Sequence, residues 1–371
     1  MVDRPPHPLR WDIFCRVIDN YGDAGVCWRL AADLAARSET VCLYIDAPDV
    51  LHGLIGKSDK ATTVHIRTWP EPDQTFEPQA VADVVIEAFA CDPPDAYIDA
   101  MSRATKNVAW INLEYLSAED WVASSHRLPS PHPRYALTKY FYFPGFTDAT
   151  GGLIREPGLI GHLPTPPRIS VTEDQALGIF LFSYAQPQIA NWLEALAHAD
   201  MPTYLGVTGC PATKSITEWQ QRHGESENLT IEYLDFVAQS EFDSLLAGYD
   251  ILLVRGEDSF VRAQWAAKPL IWHIYPQAED AHLVKLKAFY DRYLGLGILS
   301  QAEQDLYREV VACWNNAQSD RGIELLAHLW PDFVKMYPQL LENALAWRNQ
   351  LLKQQDLVTQ LRDFVGHLVK Y

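Results

Sequence analysis

Apolar runs of four to seven residues recur along this chain, and each one ends in a short polar turn. Arg255–Trp265 shows the pattern best. Ile251-Leu252-Leu253-Val254 reads as a buried parallel strand, and the polar turn Arg255-Gly256-Glu257-Asp258-Ser259 feeds a helical pattern over Val261–Trp265. The same rule predicts strands over Trp11–Ile18, Val41–Ile45, Thr63–Ile66, Ala82–Ala88 and Val108–Leu113 in the first half. In the second half it predicts Gly178–Phe182, Thr203–Val207, Leu229–Tyr233 and Leu270–Ile274. Helical periodicity lies between them, at Val26–Ala36, Tyr97–Ala104, Gln188–His198 and Glu241–Ala247. Strands alternating with helices mean parallel sheets covered on both faces, an α/β protein. Beyond Trp121 the pattern degrades into prolines and a run of aromatics, Tyr140–Phe143. Gln339–Leu368 closes the chain as one long helical pattern.

With 371 residues the chain exceeds what one core usually supports, so two domains are expected. The boundaries placed on it are 1–155 for an N-terminal domain, 156–172 for a Pro/Gly-rich linker, 173–345 for a C-terminal domain, and 346–371 for a final helix that returns to the first. No segment approaches the ~20 apolar residues of a membrane span, and the first ten residues lack the apolar core of a signal peptide. A cytosolic location is the expectation. Six scattered cysteines without a C-x-x-C pair suit reduced core thiols. The formal net charge of −18 argues against binding a bare nucleic-acid backbone, while leaving room for a local nucleotide pocket.

Chemistry concentrates in the turns. A polar turn between strand and helix aims backbone N–H groups at an anion. Asp258 or Ser259 would cap that helix, Gly256 permits a sharp bend, and Arg255 offers a cationic fork to a diphosphate. Glu257 fits a sugar hydroxyl or a neighbouring cation better than a phosphate. The alternative is an ordinary turn with a solvated charge cluster. The first turn carries Asp19 and Asp23 at the carboxyl end of the first strand, where open α/β sheets bind ligands. The pair either grips and deprotonates a nucleophile or caps the turn and the helix. Phe182 and Tyr184 end one strand, while Phe236, Gln239 and Phe242 follow another. They can sandwich and read a nucleobase, or pack in the core. His273 and His282 match no standard metal set, and structural roles are expected for both. Neither a G-x-G-x-x-G nor a P-loop motif occurs, which disfavours a nicotinamide dehydrogenase.

Two stretches carry a resemblance. Ile13–Leu30, with its core Asp19-Asn20-Tyr21-Gly22-Asp23-Ala24-Gly25, and Arg255–Gln277 are similar to the two signatures of the EarP family of protein-arginine rhamnosyltransferases. The resemblance implies an inverting glycosyltransferase of GT-B architecture, with two Rossmann-like domains facing across a cleft. It implies dTDP-β-L-rhamnose as donor substrate, one arginine of elongation factor P as acceptor, and neither cofactor nor metal. Asp19, Asp23 and Glu257 match the family's essential acids. Phe182, Tyr184, Phe236, Gln239, Phe242, Arg255 and Ser259 match its donor pocket, which Asp258 and Phe260 adjoin. The competing readings are another GT-B sugar-nucleotide enzyme, with a small acceptor or as an epimerase, and a non-catalytic module that docks on a translation factor.

Overall fold

The computed structural model describes residues 8–19, 21–56, 63–163, 176–186, 189–315 and 320–369. The chain divides into two compact units. One comprises Met1–Leu159, Ala238–Ser240 and Lys353–Tyr371; the other comprises Ile160–Val237 and Glu241–Leu352. Of the expected linker, residues 164–172 lie outside the described residues.

The first unit contains β1 (Arg10–Cys15), α1 (Tyr21–Ala36), β2 (Thr40–Ile45), α2 (Pro48–Leu54), β3 (His65–Thr68), β4 (Val84–Ala88), α3 (Asp95–Ser102), β5 (Ala109–Leu113), α4 (Trp121–Ser125), β6 (Pro129–Pro131) and β7 (Thr138–Tyr142). Its strands order as β3-β2-β1-β4-β5-β7-β6. All pairs are parallel except β6–β7. Strand periodicity sorts β1 between the faces. Trp11, Ile13 and Cys15 join the core beneath α1, whereas Phe14 packs with Tyr97 of α3 on the other side.

Two expectations fail here for physical reasons. The aromatic run Tyr140–Phe143 contributes most of a strand, β7, where a degraded pattern was expected. Proline is tolerated beside it because β6 is an edge strand. Helix α1 begins at Tyr21, five residues before the periodicity suggested, so Asp23 and two glycines lie inside it.

A last helix, Leu357–Leu368, belongs to this unit. Asp356 caps it by accepting from Thr359 N at 2.9 Å, and Arg37, just past α1, donates to the same carboxylate at 2.7 Å. Arg362 pairs with Glu39. Leu357, Val358, Leu361 and Val365 are buried in the core under α1. Leu361→Ala should therefore cost about 2–5 kcal/mol, the usual range for emptying a leucine site. Denaturant unfolding measures it, and a change below about 1 kcal/mol would mean that the helix packs only loosely.

The second unit holds β8 (Leu177–Leu181), α6 (Ile189–Ala197), β9 (Thr203–Thr208), α7 (Thr213–His223), β10 (Leu229–Leu234), α8 (Gln239–Ala247, whose first two residues cluster with the first unit), β11 (Ile251–Arg255), α9 (Asp258–Ala266), β12 (Leu270–His273), α10 (Ala281–Leu294), α11 (Gln301–Asn315), α12 (Asp320–Lys335) and α13 (Tyr337–Leu351). The short helix α5 (Leu159–His162) spans the point where the chain passes from the first unit to the second, and the helix Leu357–Leu368 is α14. The sheet order is β10-β9-β8-β11-β12, all parallel. The long closing helix expected from Gln339 is in fact two, α13 and α14. The break falls where the side chain of Asp356 offers the backbone a cap in place of continued helix.

Candidate active site

In each sheet the strand order reverses beside the first strand of the unit, between β1 and β4 and between β8 and β11. In open α/β sheets a crevice forms at the carboxyl ends of such strands. Asp19 and Asp23 lie at the first of these points, and Phe182, Tyr184, Arg255 and Glu257–Phe260 at the second.

At the first point the chain leaves β1 and enters α1. Asp23 sits in the first turn of that helix with only 2% of its surface exposed. Its Oδ2 accepts the backbone N–H groups of Ile18 and Asp19, both at 2.8 Å, and its Oδ1 accepts from the Tyr115 hydroxyl at 3.2 Å. These bonds tie the turn to the helix and fix the orientation of the carboxylate. Asp19 is half-buried. A Cβ on Gly22 would approach Asp19 Oδ2 to 2.7 Å, so glycine there makes room for the second carboxylate.

Tyr115 escaped the sequence reading. It follows β5, and its ring stacks on Phe89 at 4.2 Å. Phe89, Ala90 and Asp92, just past β4, all have positive φ. Three non-glycine residues in that region form a strained corner, a feature that concentrates at functional sites. The available signal was positional, since Tyr115 stands where a strand of a parallel sheet ends.

At the second point, Arg255 closes β11 and is 7% exposed. Its guanidinium lies 4.6 Å from the Phe182 ring centre and 4.7 Å from that of Tyr184, both just past β8. Such stacking holds the cation in a fixed plane. Gly256 follows with φ 68°, a left-handed turn that favours glycine. Its carbonyl accepts from Trp272 Nε1 at 3.0 Å.

The turn then enters α9. Glu257 takes the cap position without a capping side-chain bond, and Asp258 is the first helical residue, so the expected capping role of Asp258 or Ser259 does not occur. Glu257, Asp258 and Ser259 are half-buried at the start of that helix. Phe260 is fully buried and stacks on Trp272 at 3.9 Å, so only its backbone could face a ligand.

The remaining aromatics separate. Phe242 packs edge-on against Phe180 of β8, and Phe236 is 44% exposed. Gln239 clusters with the first unit, where its Nε2 donates to the Gly25 carbonyl at 3.0 Å.

His273, at the end of β12, stands behind Tyr184. The rings meet at 5.1 Å, and Ser183 Oγ is 2.8 Å from His273 Nδ1. Burial first, then the charges of Arg255 and His282, push this imidazole down to about 3. Its folded value lies below its ordinary one, so protons favour the unfolded chain between pH 6.5 and about 3. The stability that neutral His273 contributes is complete above pH 6.5 and is lost as pH falls through that window. The stability difference between the protein and His273→Gln, from urea unfolding at pH 7.5 and pH 5, should shrink at the lower pH. A constant difference would show that this imidazole does not titrate on unfolding. His282 Nδ1 accepts from Gln277 N at 3.1 Å, a structural role. Among the described residues no three His, Cys, Asp or Glu side chains gather as a metal site, and no helix is long and apolar enough to cross a membrane.

Two Rossmann-like parallel-sheet units, each with a polar turn at its switch point, are the architecture of the GT-B glycosyltransferases, the class to which this chain is similar. MurG of Acinetobacter baumannii shares this fold at 15% identity and a TM-score of 0.53, with 98% of this chain and 100% of that one covered. Residues 11–366 match the family model of the Elongation-Factor P (EF-P) rhamnosyltransferase EarP, and the chain belongs to that family. It is 41% identical to a protein-arginine rhamnosyltransferase of Pseudomonas putida, covering 95% of this chain and 98% of the relative. A second such enzyme, from Pseudomonas aeruginosa, is 38% identical with the same coverage of 95% and 98%. A solved structure concerned with EarP-mediated arginine glycosylation of translation elongation factor EF-P superposes with a TM-score of 0.61 at 29% identity, covering 96% of this chain and 98% of that one.

Proposed function

We propose that this enzyme transfers L-rhamnose from dTDP-β-L-rhamnose to the guanidinium of one arginine on elongation factor P, with inversion and without a metal or cofactor, in the cytoplasm. The observation that carries the reading is the Asp23 carboxylate, held by three hydrogen bonds at the carboxyl end of β1 beside the half-buried Asp19. Two acids in one turn suit a cationic acceptor. Family membership supports the sugar and the acceptor.

The acceptor sets the difficulty. Guanidinium ionises above pH 12 and a carboxylate near 4, so deprotonation beforehand would cost about 11 kcal/mol for a gap of ~8 units. In the proposed step the nitrogen attacks the anomeric carbon, the C–O bond to the diphosphate breaks, and Asp23 takes the nitrogen's proton as the new bond forms. Asp19 orients the guanidinium. The departing diphosphate gains charge, which Arg255 and the N–H groups of Ser259 and Phe260 stabilise. Phe182 and Tyr184 hold Arg255 in place. Phe236, Gln239 and Phe242 serve the nucleobase, and Glu257 contacts the sugar or steadies Arg255.

Intact-mass analysis of elongation factor P incubated with the enzyme and dTDP-β-L-rhamnose should show one added deoxyhexose on one arginine. Excess chelator should leave the yield unchanged. Absence of the adduct would end the assignment, and chelator inhibition would end its metal-free part.

A further inference from the structure

The face of the first sheet opposite α1 is only partly covered by α3. Between β3 and β4 the chain runs without an α-helix, making one 3-10 turn at Pro78–Ala80. Beneath it remains a cavity of about 420 Å³, within the size range of small-molecule sites.

Alternate residues of three adjoining strands form its floor: Arg10 and Asp12 of β1, Cys42 and Tyr44 of β2, and His65 and Arg67 of β3. The register sets Asp12 beside Cys42, and Cys42 beside His65. Phe76 lines the opposite wall.

Asp12 is 5% exposed. Its Oδ2 accepts the Tyr97 hydroxyl at 2.5 Å, and its other oxygen has no hydrogen-bond partner among the described residues. Burial raises this carboxyl above its usual range, with Tyr97, Arg10 and Arg67 opposing. That oxygen is not among the sealed, unpartnered polar atoms, so it is open to the cavity that Asp12 lines, where an entering hydroxyl can donate to it. Arg10 is steadied by Ala80, its Nη2 donating to the carbonyl at 2.7 Å. Arg67 is exposed at the rim. Two guanidinium forks beside one buried acceptor select a molecule that is anionic at one end and hydroxylated at the other. Tyr44 and Phe76 provide flat walls for its carbon skeleton.

We propose that this cavity binds a small hydroxylated organic anion of the sugar-phosphate class, with a hydroxyl on Asp12 and the anionic group on Arg10 and Arg67. The site lies on the sheet face away from α1 and the Asp23 turn, and does not depend on the transferase reading.

Calorimetric titration of the full-length protein with ribose 5-phosphate, ribose and inorganic phosphate tests it. Ribose 5-phosphate should bind saturably and about tenfold or more tighter than either fragment. Arg67→Ala should weaken it by about tenfold, while Asp12→Asn should weaken ribose 5-phosphate and leave phosphate unchanged. Transferase turnover should be unaffected in both variants. Arg67 is exposed, so its variant decides the matter should Asp12→Asn fail to fold. No saturable binding, equal affinity for phosphate alone, or indifference to Arg67→Ala would overturn the proposal.

Discussion

Asp23→Asn is expected to lower turnover by about 10³-fold, within the range for loss of a general base, while leaving donor affinity unchanged. The asparagine carbonyl can still accept from the N–H groups of Ile18 and Asp19, and its amide can still meet Tyr115, so the turn should persist. What disappears is the capacity to take a proton. Asp23→Ala differs, because it also strands two backbone donors, at about 1–3 kcal/mol for each unsatisfied group. Single-turnover rates, donor titration and urea unfolding on both variants separate chemistry from architecture. Asparagine that turned over normally would move the base elsewhere, with Asp19 next to be examined.

Arg255→Lys should be nearly as damaging. Lysine keeps the charge but loses the planar fork that lies against Phe182 and Tyr184. If Arg255 neutralises the leaving diphosphate, kcat/KM should fall by about 10²–10³-fold, the scale for removing one preorganised electrostatic contact. Donor affinity should fall by less, because charge on the leaving oxygen grows along the reaction. A loss in donor affinity equal to the loss in kcat/KM, with kcat unchanged, would instead make Arg255 a ground-state anchor. Tyr184→Phe controls for the packing, since it keeps the ring beside the guanidinium.

The sequence reading succeeded where a local rule governs. Continuous apolar runs became the strands of both parallel sheets, and the polar turns after β1 and β11 fell at the two switch points. It failed where tertiary bonds decide. Periodicity placed the start of α1 at Val26 because Gly22 and Gly25 look like turn residues. The Asp23 carboxylate, reaching back to two N–H groups, instead holds those glycines in the helix. Tyr115 was invisible because its partner Asp23 is remote in sequence, and the strained corner at Phe89 leaves no mark in composition. A side-chain cap at Asp356 divided what periodicity joined. The donor-side cluster was legible as residue types, but the stacking of Arg255 between rings supplied by the turn after β8 was not.

The assignment of α14 to the first unit bears on how the protein is made. Its apolar residues fill the core beneath α1, yet they are translated only after the second unit. While the ribosome works through the intervening stretch, at some 5–20 residues per second, the first unit must wait with that seam open. The second unit has no such debt and can close first. Biogenesis would then run against the order of synthesis, and the nascent N-terminal half would be the part that chaperones attend.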